Sequence, residues 1–188
     1  MTKNSKREQI INVALNLFYK EGFNATGVEK IREVANVSKK TLYNHFKSKD
    51  ELILVVLRRR DEQFRNNFMR AVERFGTTPA ERLVSVFDAA DEWFNSKGFC
   101  GCMFINASAE FTAADNPIHV ASAEHKRLMY EYVKSLAEKA GAENPAELSK
   151  QLNLLIEGAT VQAHVSGDRN AAQTAKKMGK IFIKSALN

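Results

Sequence analysis

A chain of 188 residues with 44% hydrophobic residues, nine Gly and three Pro is long enough to bury a sizeable core and too apolar for disorder. Its longest unbroken apolar run, Leu52 to Leu57, is far too short to cross a bilayer, and the polar start MTKNSKREQ lacks the apolar core of a secretory signal, so a cytoplasmic protein with no membrane partner is expected. The net charge of +6 sits at one end: thirteen Lys and Arg face six Asp and Glu in residues 1–60, against fifteen and sixteen in residues 61–188, which points to an anionic partner for the N-terminal third.

No strand-like alternation recurs at hairpin spacing, so the reading is all-α with about nine helices. The first runs from about Lys6 to Glu21, opened by a Ser5/Glu8 capping pair and burying Ile10, Ala14, Leu17 and Phe18, with Gly22-Phe23 as its stop. Thr26/Glu29 opens the second, over about residues 27–35. A turn at Asn36-Val37 leads to Ser38, the cap of a very short third helix over about 39–45. Ser48/Glu51 opens a fourth that continues to Phe75, with Ile53, Leu57, Phe64, Phe68, Val72 and Phe75 on one stripe. Within it, Arg58-Arg59-Arg60 reads as a solvated stretch. Beyond Gly76, the starts Thr78-Pro79 (with Glu81), Asn116-Pro117, Asn144-Pro145 and Gly167-Asp168 place helices at about 79–96, 102–112, 117–140, 145–166 and 169–187. The eighth, with Leu152, Leu154, Leu155, Ile156, Ala159, Val161, Ala163 and Val165, has little polar face, which predicts burial on both sides and hence a partner subunit.

The segment SKKTLYNHFKSKDEL, residues 38–52, crowds lysines, Thr, Tyr, Asn and His between two caps. A short turn joining two helices, the second of them basic, is the layout of a helix-turn-helix whose second helix enters the DNA major groove. Leu42 and Phe46, four apart, anchor that helix to Ile31 and Val34, leaving Lys39, Lys40, Thr41, Tyr43, Asn44 and His45 facing outward. Lysines and the tyrosine hydroxyl suit phosphate oxygens, Thr41 and Asn44 suit base edges, and the helix starts at Thr26 and Ser48, the latter beside Lys49, offer further donors.

In Phe18, Gly22-Phe23, Thr26, Ile31, Ala35, Val37-Ser38, Thr41-Leu42-Tyr43, His45-Phe46 and Ser48-Lys49-Asp50-Glu51-Leu52, the chain resembles the TetR family of transcriptional regulators. The likeness is strong over about the first 55 residues and beyond them rests on helix count and length. It implies a DNA-binding domain at 1–48 and a ligand-binding, dimerising helical domain at 49–188, with a helix at about 49–75 joining them. It also implies a homodimer built from the last two helices, a palindromic double-stranded DNA operator, and release by a small-molecule effector, usually with repression. Two positions depart from the family pattern. Asn36 stands where Gly is usual, and Asn is the commonest other residue to accept a left-handed backbone. Arg32 stands where a small residue is usual, so its charged head must reach the surface.

Candidate effector-binding residues are Phe64, Phe68, Phe87, Phe94, Phe104, Asn106, Glu110, His125, Met129 and Tyr132: apolar side chains with a few polar groups, the composition of a ligand pocket and equally of a core. Leu155, Gly158, Ala159, Gln162 and Phe182 are candidates for the dimer interface. Cys100 and Cys102, beside a helix start, offer an alternative in which a thiol senses oxidants or electrophiles. Remoter alternatives are a thiol oxidoreductase, for which the Cys-x-Cys spacing is wrong, and a non-specific nucleoid protein. Neither a catalytic constellation nor a metal or cofactor motif is present in the sequence, so no enzyme activity and no cofactor are expected.

Overall fold

The computed structural model describes residues 3–187, and among these the order is α1 (Lys3–Glu21), α2 (Val28–Val34), α3 (Lys39–His45), α4 (Lys49–Phe75), α5 (Pro79–Phe94), α6 (Met103–Glu110), α7 (Pro117–Lys139), α8 (Pro145–Val165) and α9 (Ala171–Ala186). The all-α expectation holds, and the helix ends differ from the sequence reading by a few residues. Caps explain several of them. Thr78 forms the full box with Glu81, whose carboxylate also accepts from the Thr77 hydroxyl and backbone N–H, and these bonds hold its pKa down at about 2. Asn144 accepts from the Glu147 N–H at 3.1 Å and so starts α8.

Two expected boxes are absent. α1 begins ahead of Ser5, so Glu8 has no cap to reach and instead receives the Arg59 guanidinium at 2.8 and 3.1 Å, which holds its carboxyl below the usual range. Arg60 stacks over Tyr19 at 4.8 Å. Two of the three consecutive arginines therefore brace α1 against α4, a correction to their reading as a solvated stretch. At α2 the N-cap is Gly27, because the Thr26 hydroxyl points inward and donates to the Gly22 carbonyl at 2.7 Å.

The chain packs as two compact units. The first runs to Gln63 and resumes over Cys102–His125, while the second takes Phe64–Gly101 and the chain from Lys126 onward. α4 and α7 each pass from one unit into the other. The core of the first unit includes Ile10, Ile11, Ala14, Phe18, Phe23, Ile31, Leu42 and Phe46. Ile11 is buried where Leu17 was expected, and Leu17 is half-buried, because the inward face of α1 follows 10/11, 14 and 18.

In the second unit α5, α8 and α9 pack on one another around Leu83, Val86, Phe87, Leu152 and Ala172. Gly179 makes the closest approach: a Cβ there would overlap the Phe87 ring, so α9 lies against α5 without a side chain between. Gly179→Ala is expected to destabilise the fold by about 1–3 kcal/mol through overpacking, despite alanine's higher helix propensity. Chemical denaturation checks it, and a net gain in stability would mean that the ring moves aside at no cost.

Candidate DNA interface and effector-responsive contacts

The seven residues of α3 and its C-cap, Phe46, divide cleanly into two faces. Leu42 and Phe46 are 2% and 1% exposed, while Lys39, Lys40, Tyr43 and Asn44 lie on the solvent face and Thr41 and His45 on its margins. Ser38 starts the helix by accepting the Thr41 N–H at 3.0 Å, and its hydroxyl also bonds the Thr41 hydroxyl at 2.8 Å. Asn36 has φ +47, the left-handed turn that its side chain tolerates, and Val37 bonds back to the Arg32 carbonyl. Ile31 supports the anchors as expected, but Val34 is 56% exposed; the buried partners on that side are Ala35 and Val37, which the turn brings inward. Arg32 does reach the surface, where Glu29 at 2.5 Å and Glu33 at 3.4 Å hold its guanidinium.

Thr26 leaves the DNA-contact set as a side chain, since it is fully buried and its hydroxyl is bonded to Gly22. Lys39 lies 3.4 Å from Glu29 and remains largely exposed. Lys49 is half-buried, with Nζ 3.4 Å from the Asn24 carbonyl, so it braces the α1–α2 turn beside the α4 start.

That turn is gripped from a second direction. Glu110, the last residue of α6, accepts the Phe23 N–H at 2.8 Å and the Asn24 N–H at 2.5 Å. Phe111 meets the Phe23 ring edge-on at 6.2 Å, and Phe23 stacks on Phe18 at 5.2 Å. Gly22, at φ +87, passes so close that a Cβ would sit 3.1 Å from a Glu110 oxygen. Glu110 is thus a structural acceptor for the turn between α1 and α2, with its carboxylate engaged there.

The remaining effector candidates divide between the units. In the first, the His125 ring lies parallel to Phe104 at 3.7 Å and is 2.7 Å from an Asp61 oxygen through Nδ1, tying α7 to α6 and to α4, and Asn106 lies half-buried on α6. In the second, Phe68, Phe87, Phe94 and Met129 are buried core, and Phe64 stacks on Phe68 and meets Trp93 edge-on. The buried Tyr132 hydroxyl has no hydrogen-bond partner, and burial, helped by the Glu73 charge, pushes its pKa up to about 12. Of the ten candidates, four lie in the first unit and six in the second.

Cys100 is half-buried and Cys102 is 7% exposed at the α6 N-cap; Gly101 between them has φ +77 and lies against the His164 ring, where a Cβ would sit 2.7 Å away. On α8 and α9 the inward residues include Ala159 and Ala163, while Leu154, Val161, Val165, Met178 and Ile181 stand 44–75% exposed. A groove of about 230 Å³ between these helices is lined by Leu155, Gly158, Ala159, Gln162 and Met178, whereas Phe182 packs largely on its own core.

Comparison with known proteins agrees with this geometry. Residues 10–56 match bacterial regulatory proteins of the tetR family, and residues 79–178 match the tetracyclin repressor-like C-terminal domain. The chain is 24% identical over 182 residues to the HTH-type transcriptional regulator YjdC of Escherichia coli K12, covering 96% of this chain and 95% of that one. It superposes on SCO4454, a TetR-family transcriptional regulator from Streptomyces coelicolor, with a TM-score of 0.90, 25% identity and 98% and 97% of the two chains covered. For sav143, described as a putative tetr-transcriptional regulator from Streptomyces avermitilis, the figures are 0.83, 28%, 96% and 97%.

Glu110→Ala should free the two turn amides, accelerating hydrogen exchange at Phe23 and Asn24 by about tenfold, since hydrogen bonds to charged acceptors contribute about 1.5–3 kcal/mol. Unchanged exchange at both amides would show that α4 and the aromatic contacts hold the turn unaided.

Proposed function

Because the chain belongs to the tetR family of bacterial regulatory proteins and is a DNA-binding transcriptional regulator of the helix-turn-helix type, we propose that it acts as a homodimeric repressor that reads a palindromic operator and leaves it when a small molecule binds. The observation that carries this reading is the division of α3 into a buried anchor face, Leu42 and Phe46, and an exposed face bearing Lys39, Lys40, Tyr43 and Asn44. Lys40 and Tyr43 contact phosphates, while Thr41 and Asn44, one helical turn or less apart, reach base edges. His45, half-buried at the margin, positions the helix on the backbone.

A two-turn helix touches only a few base pairs. Two copies spaced by one turn of DNA, about 34–36 Å, read enough sequence to discriminate an operator. The α8–α9 face supports such a pairing, because Leu154, Val165 and Ile181 expose more apolar surface than an isolated helix pair needs. Selection of genomic fragments by the purified protein tests the reading: one palindromic motif is expected, and uniform retention of all fragments would leave a non-specific DNA binder.

Gly158 gives the dimer a sharp test. Its Cβ position is open to solvent, so Gly158→Trp fits the isolated chain but fills the proposed interface. Sedimentation should show monomer, and operator affinity should fall by about 10²-fold as the second head is lost. A monomeric variant with full operator affinity would overturn the dimer.

A further inference from the structure

The exposed face of α3 begins with a lysine that is already paired. Lys39, the first residue of α3, has its Nζ 3.4 Å from Oε1 of Glu29, the second residue of α2, across the turn at Asn36. The other Glu29 oxygen, Oε2, accepts from the Arg32 Nε at 2.5 Å, and the Arg32 guanidinium also reaches Glu33 at 3.4 Å. The Arg32 bond holds the Glu29 carboxyl below the usual range, so it is ionised at neutral pH. Arg32, at a position where the family pattern has a small residue, thereby fixes one oxygen of Glu29 and leaves the other for Lys39.

Charge at this corner cancels, because Glu29 and Glu33 face Arg32 and Lys39. Lys40, one residue further on, is exposed and has no carboxylate partner among the described residues. The Lys39 and Glu29 side chains are 69% and 54% exposed, so their pairing adds little to the stability of the fold. Its effect falls instead on any anion that approaches Lys39. A phosphate oxygen bonded to this lysine would lie within about 6 Å of the Glu29 carboxylate, and like charges at that range repel. The sugar-phosphate backbone is common to all sequences, so this penalty is too.

We propose that Glu29 is an internal counter-ion for Lys39 that lowers the affinity of the α3 surface for DNA of any sequence. The proposal rests on the reading of α3 as the DNA-contacting helix, and it adds to that surface a residue acting against binding. A regulator gains from such a limit. Phosphate contacts strengthen binding to every stretch of DNA alike, so restraining one of them shortens the time spent on non-operator sites and leaves discrimination to the residues that reach base edges.

The test measures binding to a fragment retained in the genomic selection and to a random duplex of the same length, between about 50 and 200 mM salt. Glu29→Gln keeps the size of the side chain and an acceptor for Arg32. It should raise affinity for both duplexes by about threefold or more at the low-salt end, steepen the salt slope by about one, and leave the selected motif as it was. Lys39→Ala should cost at least about threefold more in the Glu29→Gln background than in the parent chain, since only there does the lysine answer to phosphate alone. Equal or lower affinity of Glu29→Gln, strictly additive effects of the two substitutions, or an altered motif, which would make Glu29 a base reader, each overturns the proposal. Lys40→Ala keeps the two readings apart. It should weaken binding to both duplexes whatever Glu29 does; if it does not, the reading of α3 fails, and if it does while the Glu29 results go the other way, the counter-ion role alone fails.

Discussion

A seven-residue helix has no stability of its own in water, and the surface we propose faces DNA is built on one. Everything around α3 answers that constraint. Ser38 satisfies an orphan N–H at its start, the left-handed Asn36 aims it away from α2, and Leu42 and Phe46 fix its two turns to the core of the first unit. With both anchors on one face, the other face is free to carry groups chosen for DNA rather than for folding. The exposure of Tyr43, costly elsewhere, follows from the same division.

The three small helices also have to be held as a unit. α4 supplies one support through Arg59 on Glu8 and Lys49 on the Asn24 carbonyl, and α6 supplies another through Glu110 and Phe111. The Lys49, Glu110 and Phe111 contacts meet at one loop, the α1–α2 turn, so its position depends on α4 and α6 together. In the proposed effector-released repressor, a small displacement of either support acts on the segment that orients α2 and α3. A turn secured only by its own local bonds would transmit nothing.

What the sequence made legible was local. The Ser38, Thr78 and Asn144 caps, the turn at Asn36, the anchors Leu42 and Phe46, and the helix order all follow from residues within a few positions of one another. What it concealed was long-range or rotameric. Nothing near Glu110 signals that its partners lie 86 and 87 residues earlier, and Glu8 looks like a capping residue until Arg59 is found beside it. Thr26 fits a cap by spacing, yet a hydroxyl that can turn back to the preceding carbonyl is equally satisfied there, and burial decides between the two. The unit boundary was illegible for a related reason: a continuous α4 hides the point at which its neighbours change.

Periodicity likewise shows that a face is apolar without showing what covers it. On α8, Leu152 and Ile156 are buried within the chain, but Leu154 and Val165 stand 75% exposed, and the sequence treats all four alike. The distinction matters because the two sets serve different equilibria. Inward residues stabilise each chain, so changes there alter folding; in the proposed homodimer the outward residues on α8 and α9 stabilise the pair, so changes there alter association. The open position at Gly158 belongs to the second set in the proposed dimer, whereas Gly179, pressed on Phe87, belongs to the first. The proposed two-headed reader can therefore be weakened in operator binding through association alone, with folding and the chemistry of α3 left intact.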